Sequence, residues 1–257
     1  MDFIIIPITA LLASVLTFFS GFGLGTILAP VFALFFPIDV AIAMTGVVHF
    51  TNNIFKIALI GKNTDKAVVI KFGIPALIMS FIGAWILIQI SVMPSVFQYQ
   101  IGEKIFSVTP VKLIVAIILL IFSILEIIPF VQKIQFAKDK LFLGGILSGF
   151  FGGLTGTQGA IRSAFLIKSG LSKEAYIATG VFIACLVDIS RLSVYASRFS
   201  EANLQNNIGL LLSATIAAIT GAVIGRKLLK KVTLRAVQII VAVMLICISF
   251  ALGAGII

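Results

Sequence analysis

Apolar runs of membrane-crossing length follow one another along this chain, and two of them are broken in the middle by glycine. Residues 3–19 are apolar, Gly21, Gly23 and Gly25 interrupt them, and residues 26–36 resume until Pro37. The second broken stretch, 148–168, reads SGFFGGLTGTQGAIRSAFLIK: it holds five glycines, a polar run from Thr155 to Gln158, and Arg162. Its apolar arms predict half-helices of about 15–18 Å, half of a hydrocarbon core of about 30 Å. Backbone that breaks at that depth must be buried in protein or line a wet cavity, because lipid satisfies no N–H or C=O group. Unbroken spans are predicted at 38–60, 68–92, 111–128, 174–197, 206–225 and 236–257, and 93–110 reads as a loop.

The two broken stretches belong to an internal repeat. SGF at 20–22 recurs at 148–150, Gly25 matches Gly159, and TGV at 45–47 recurs at 179–181. One residue further on, Asn53 to Lys56 align with Asp188 to Arg191. The expected fold is therefore an all-α polytopic membrane protein of two repeats, 1–130 and 141–257. Each has a glycine-broken hairpin (3–36 and 141–168) followed by three transmembrane helices.

Charge decides between a hairpin and a simple crossing. With eight simple crossings the basic residues divide seven against nine, which is no bias. With hairpins, thirteen fall on one side (Lys62, Lys66, Lys71, Lys133, Lys138, Lys140, Lys168, Lys173, Arg226, Lys227, Lys230, Lys231, Arg235) and three on the other (Lys104, Lys112, Arg198). That asymmetry is what the positive-inside rule requires. It leaves three net crossings per half, so the second repeat is expected to be inverted relative to the first, a common plan of secondary transporters. Both termini are then expected to face outward and the basic turns the cytoplasm.

Composition agrees with a membrane protein: 60% of residues are hydrophobic and mean hydropathy is +1.23. The net charge of +10 sits in short loops and so signals orientation rather than nucleic-acid binding. Cys185 and Cys247 lie within apolar spans, which implies no disulfide framework. The N-terminal residues carry Asp2 and no basic group, which argues against a cleaved signal peptide. No metal or cofactor motif is present, and the glycine tract lacks the strand and the Gly-Lys-Ser/Thr ending of a phosphate loop.

Polar residues inside such spans are costly and mark function by default. His49, Asn52, Asn53 and Lys56 fall at i, i+3, i+4 and i+7, one stripe of the 38–60 helix. Asp188, Arg191 and Tyr195 fall at i, i+3 and i+7 of the matching helix. Two plainer readings stand beside the functional one: Asp188 and Arg191 neutralise each other one turn apart, and Lys56 snorkels to the interface. Arg162 lies in the first turn of a returning half-helix, where free N–H groups favour an anion and a guanidinium adds a planar fork of donors. Its plainer reading is a packing ion pair with Asp188 or Glu126. Thr26, Thr155, Thr157, Gln158 and Ser163 supply neutral groups nearby.

The motifs GFGLGTILAP and SGFFGGLTGTQGAIRSAFL, each followed by a span with TGV, resemble the TauE/SafE (TSUP) family of sulfite and organosulfonate exporters over nearly the whole chain. Where the first copy has Pro30, the second has Ala164. The resemblance implies a transporter that moves a small oxidised sulfur anion out across the bacterial inner membrane, coupled to an ion gradient. Arg162 and the half-helix N-termini at Gly25 and Gly159 would bind the anion, with Arg191 and Lys56 adding positive potential. Asp188, His49 or Glu126 would take a coupling proton. The expected partners are a small anion, the bilayer and coupling protons, with a homo-oligomer open. An anion channel is the alternative, because such hairpins can also line a pore. An intramembrane enzyme is disfavoured by the single histidine and the lack of a hydrolase motif.

Overall fold

The computed structural model of the chain describes residues 1–17, 24–128, 135–199, 204–228 and 234–257, leaving aside the side chains of 197–199, 204–206, 227–228, 234–238 and 240. The chain is an all-α polytopic membrane protein. Its helices are α1 (Asp2–Thr17), α2 (Leu24–Ala33), α3 (Ile38–Ile60), α4 (Lys66–Ser91), α5 (Pro110–Ile127), α6 (Leu141–Thr155), α7 (Gly159–Leu166), α8 (Lys173–Phe199), α9 (Leu204–Leu228) and α10 (Leu234–Gly253). Among the described residues, α3, α4, α5, α8 and α9 are long and apolar enough to cross a membrane. The first glycine run at Gly21 and Gly23 lies outside the described residues. So do Lys133, Lys230 and Lys231, and the side chains of Arg198, Lys227 and Arg235.

Local chemistry sets several helix ends. Asp65 caps α4 by accepting the Val68 N–H at 2.9 Å. Thr109 caps α5 in the same way, with Pro110 in the first turn, where its missing N–H is harmless. Within α4, residues Val69–Gly73 form a π-helical turn. Pro75 follows after Ile74; it has no N–H to give and its ring pushes on the preceding turn, which widens the helix there.

The second glycine-rich stretch is a hairpin. Gly156, at φ +79°, ends α6 in a left-handed conformation that a side chain would disfavour. The chain then returns along itself. A methyl group on Gly152 would stand 2.9 Å from Cβ of Gln158, and one on Gly144 would strike the ring of Phe165. Phe136, just before α6, stacks on Phe165 at 4.1 Å and donates its N–H to the Ala164 carbonyl at 3.2 Å. Entry and exit of this segment therefore lie at the same end. Its arms are unequal, however: α6 is about 22 Å long and α7 about 12 Å, at 1.5 Å per residue.

Gly149, Gly152 and Gly153 do not break the helix, because they serve contact rather than reversal. Gly145, Gly149 and Gly153 repeat every four residues on one face of α6. A Cβ on any of them would collide with the backbone of Phe72, Ala76 or Ser80, which repeat every four residues along α4. Gly83 of α4 returns the contact against the Phe150 carbonyl. Helix association in lipid gains little from hydrophobicity, so close van der Waals approach of small residues has to supply it. The α1–α9 pair is built alike: Gly221 lies on the Leu11 carbonyl, and Ala10, Ser14, Ala214 and Ala218 are buried. All ten residues of α2 are buried.

The 93–110 connection differs from its reading as a loop. Phe97–Ile101 (β1) and Lys104–Val108 (β2) pair antiparallel around Gly102 and Glu103, with Gly102 at φ +62°. The apolar alternation Phe97, Tyr99, Ile101 is the strand signal in this short connection.

The α4–α6 contact makes a prediction. Gly149→Ala should destabilise the protein by about 1–3 kcal/mol through overpacking. Gly209→Ala in α9, where the new methyl would meet Phe3 at an ordinary 3.6 Å, should leave stability unchanged or slightly raised. Melting temperatures of the detergent-purified variants check this; equal values would deny the tight seam.

Candidate functional site

The polar stripes of α3 and α8 face each other in the interior. His49, Asn52, Asn53 and Lys56 are 4%, 0%, 3% and 5% exposed, and Asp188, Arg191 and Tyr195 are equally enclosed. Asp188 is the junction. Its Oδ2 lies 2.7 Å from Nδ1 of His49, and its Oδ1 accepts from Arg191 Nε at 3.0 Å, with the Nη2 of the same guanidinium in ion-pair contact at 2.7 Å. A carboxylate only accepts, so the imidazole nitrogen facing it carries the proton. Asn53 adds an Nδ2 donor at 3.4 Å. The pairing of Asp188 with Arg191 one turn apart is real, but it forms part of a cluster that reaches across to His49.

Arg191 and Tyr195 also hold the end of α6. Arg191 Nη1 donates to the Gly152 carbonyl at 3.4 Å, and the Tyr195 hydroxyl donates to the Gly153 carbonyl. Carbonyls in the last turn of a helix carry partial negative charge, so a cation and a hydroxyl donor are suited to them. The guanidinium lies against two glycines, and tightly only against Gly156. A methyl group on Gly46 would stand 3.6 Å from its Cζ, and one on Gly156 would stand 3.0 Å from Nη1. The two halves of the chain meet here, since a methyl group on Gly25 would lie 3.5 Å from the Gly156 carbonyl and 4.0 Å from Cδ2 of His49. Thr26, next in α2, is buried.

A second cationic group lies around α7. Arg162, 8% exposed in the first turn of that helix, donates from Nη1 to Oε1 of Gln158 at 3.1 Å. The Gln158 carbonyl accepts from Ser148 Oγ at 3.1 Å, while its buried Nε2 has no partner among the described residues. Lys56 is buried with Arg162 as its charged neighbour, so it does not snorkel to the interface. Thr155 and Thr157 share a hydrogen bond of 2.6 Å, and Thr155 is also placed to donate to Phe151. Ser163 gives its proton to the Gly159 carbonyl at 2.9 Å, one turn back. Gly159 opens α7 in ordinary helical geometry.

Some expected partners are not brought together. Asn52 reaches Ser14 of α1 at 3.5 Å rather than the Asp188 cluster. Glu126 is buried in the last turn of α5, and among the described residues no ion pair joins Arg162 to it or to Asp188. No group of three His, Cys, Asp or Glu suited to a metal occurs among the described residues.

Other participants were present in the sequence only as repeat markers. The glycine of each TGV motif lies beside an arginine: Gly46 by Arg191, and Gly180 by Arg162, whose Nε would meet an added methyl at an ordinary 3.5 Å. Ser148, from the repeated SGF motif, anchors the hairpin tip through Gln158. Cys185 lies among Lys56, Arg162 and Asp188, a placement that no sequence spacing revealed.

A family model described as "Sulfite exporter TauE/SafE" matches residues 6–252. No curated protein and no solved structure matches the chain.

The geometry separates charge neutralisation from a wider role at Asp188. Either Asp188→Asn or Arg191→Gln alone leaves a buried charge without its partner and should lower folded yield; together they should restore it. Transport should stay lost in the double variant, because His49 and the Gly152 carbonyl lose their partners as well. Flux assayed beside yield checks this, and full recovery of flux would reduce the pair to packing.

Proposed function

From the premise that the chain belongs to the TauE/SafE family of transporters, described as sulfite exporters, we propose that it is a secondary transporter carrying sulfite or an organosulfonate outward across the bacterial inner membrane. The observation that carries this reading is the arrangement at the tip of the second hairpin. The Arg162 fork, the unpartnered Gln158 amide donor and the Lys56 ammonium are buried close to where the two halves meet. An oxyanion there would receive charge-assisted donors in a planar fork. We assign the buried Thr26, Thr155, Thr157, Gly25 and Gly159 to the substrate path as well, with Arg191 adding positive potential from the neighbouring cluster.

Burial favours a carrier over an open channel. Lys56, Arg162, Asp188 and Arg191 are each at most 8% exposed, so an ion reaches them only if the halves move apart. In this reading a coupling proton acts at the His49–Asp188 contact. A proton on Asp188 weakens its hold on Arg191, and Arg191 holds the tip through Gly152. The tip is thereby released or fixed according to the proton's presence.

We further propose that residues 1–130 and 141–257 are inverted repeats. The packing partners support this, because they exchange in pairs. α1 lies on α9 as α6 lies on α4, and α9 lies on α3 as α4 lies on α8. The α3–α8 and α5–α10 contacts map onto themselves. Both termini then face outward.

Two experiments test these readings. In proteoliposome counterflow, sulfite and a sulfonate should exchange and carboxylates should not, with flux responding to an imposed proton gradient. Arg162→Lys should weaken binding and Arg162→Gln more so, by roughly ten- to a hundredfold in KM for a lost charged hydrogen bond. Flux indifferent to Arg162→Gln would remove the oxyanion site. For topology, single cysteines at Asn63 and Arg226 should react with an impermeant thiol reagent from the cytoplasmic side, and one at Gln100 from outside, in a background lacking Cys185 and Cys247. Labelling of 63 and 226 from opposite faces would rule out the inverted plan.

A further inference from the structure

The β1–β2 hairpin has two unlike faces. On one, Phe97, Tyr99 and Ile101 stand opposite Val108, Phe106 and Lys104. The rings of Phe97, Tyr99 and Phe106 form a continuous stack, with centroids 5.5 and 5.3 Å apart. The other face carries Gln98 and Gln100 opposite Ser107 and Ile105. The aromatic face is incompletely covered. Tyr99 donates to the Ala254 carbonyl at 2.7 Å, yet Phe97 is 55% and Ile101 65% exposed. Between this face and the ends of α5 and α10 lies an open apolar groove of about 440 Å³, walled by Phe97, Tyr99, Val108, Leu113, Gly253 and Ala254.

Two strands alone are marginal in water, so the uncovered face needs an apolar neighbour. Its position limits what that neighbour is. One residue, Thr109, separates β2 from α5, so the hairpin cannot leave the end of a membrane-crossing helix. It is held in the headgroup zone, which is about 5–7 Å deep on each side of the hydrocarbon. The exposed apolar band of α4 (Ile74, Ile78, Phe81, Trp85) is interrupted by exposed Gln89 and resumes at Val92, Met93 and Val96 before β1. Aromatic rings are suited to that depth. Two cations sit at the rim. Lys104 ends the aromatic face, and Lys112, beside the groove residue Leu113, donates to the Ser107 carbonyl at 3.2 Å with two further N–H groups to give. Glu103 in the turn is the one acidic residue of the hairpin.

We propose that this groove binds a phospholipid: the hairpin lies in the interface with its aromatic face toward the hydrocarbon, the groove takes the upper part of an acyl chain, and Lys104 and Lys112 face the phosphate. The hairpin is then an interfacial anchor that fixes the α4–α5 connection at one depth.

The native protein has a single tryptophan, Trp85, which makes the test direct. In a Trp85→Phe background, Phe97→Trp and Gln100→Trp place one probe on each face. Both are reconstituted in mixed phosphatidylcholine and phosphatidylglycerol vesicles, with phosphatidylcholine brominated near the top of its chains as quencher. The Phe97→Trp probe should lose as much fluorescence to bromolipid as native Trp85 does, and the Gln100→Trp probe should respond chiefly to aqueous iodide. Ile101→Trp, on the same face, serves if Phe97→Trp fails to fold. Equal iodide quenching of both faces would overturn the proposal by placing the hairpin in water. A probe that neither bromolipid nor iodide reaches, in a protein that cross-links as a dimer, would overturn it in favour of a second copy of the chain.

Discussion

A carboxylate removed from water must be neutralised by its neighbours, and in this protein Asp188 makes that requirement hold the two halves together. Its partners come from α3 and from its own helix, so neither half satisfies it alone. Arg191, fixed by Asp188, has a donor left for Gly152, and Tyr195 one turn further on takes Gly153. The tip of the second hairpin thus rests on a charge that is itself held by Asp188. Gly156 follows from the same need, because at φ +79° and with Arg191 Nη1 3.0 Å from where a methyl would stand, the tip leaves no room for a side chain there.

The other cationic group is built on a different logic. Arg162 takes its acceptor from Gln158, a neutral amide one turn back, and not from a carboxylate. A neutral acceptor orients the fork while leaving its charge in place, so the guanidinium keeps its attraction for an anion. One arginine is closed into a network and the other is left electrostatically available. In the proposed transport reading, that division gives Arg191 the holding of the tip and Arg162 the recruiting of an anion.

Much of this was legible in the sequence because helical periodicity is. The spacing of His49, Asn53 and Lys56 put them on one face, and that of Asp188, Arg191 and Tyr195 put them on another. Spacing along a helix does not say which face of a neighbour it meets. Asn52, in the same stripe, turned to α1, and Arg162 found Gln158 rather than Asp188 or Glu126. The glycine tract was visible, but the division of labour within it was not. Gly145, Gly149 and Gly153 serve contact and Gly156 serves reversal, and only their order against α4 separates the two uses. The hairpin at 97–108 went unread because five-residue alternation is a weak signal between two strongly apolar helices.

The seam between α6 and α4 has a consequence for variation. Where helices touch through their backbones, no side chain at the contact can be exchanged for another, whatever its polarity. Phe142, Leu143 and Leu147, elsewhere on α6, are 62%, 47% and 37% exposed and need only stay apolar. Tolerance to random substitution along α6 would therefore rise and fall with a four-residue period set by volume, with hydrophobicity nearly constant throughout. A helix whose apolar character is almost uniform around its circumference would still disclose its orientation, through where size is forbidden.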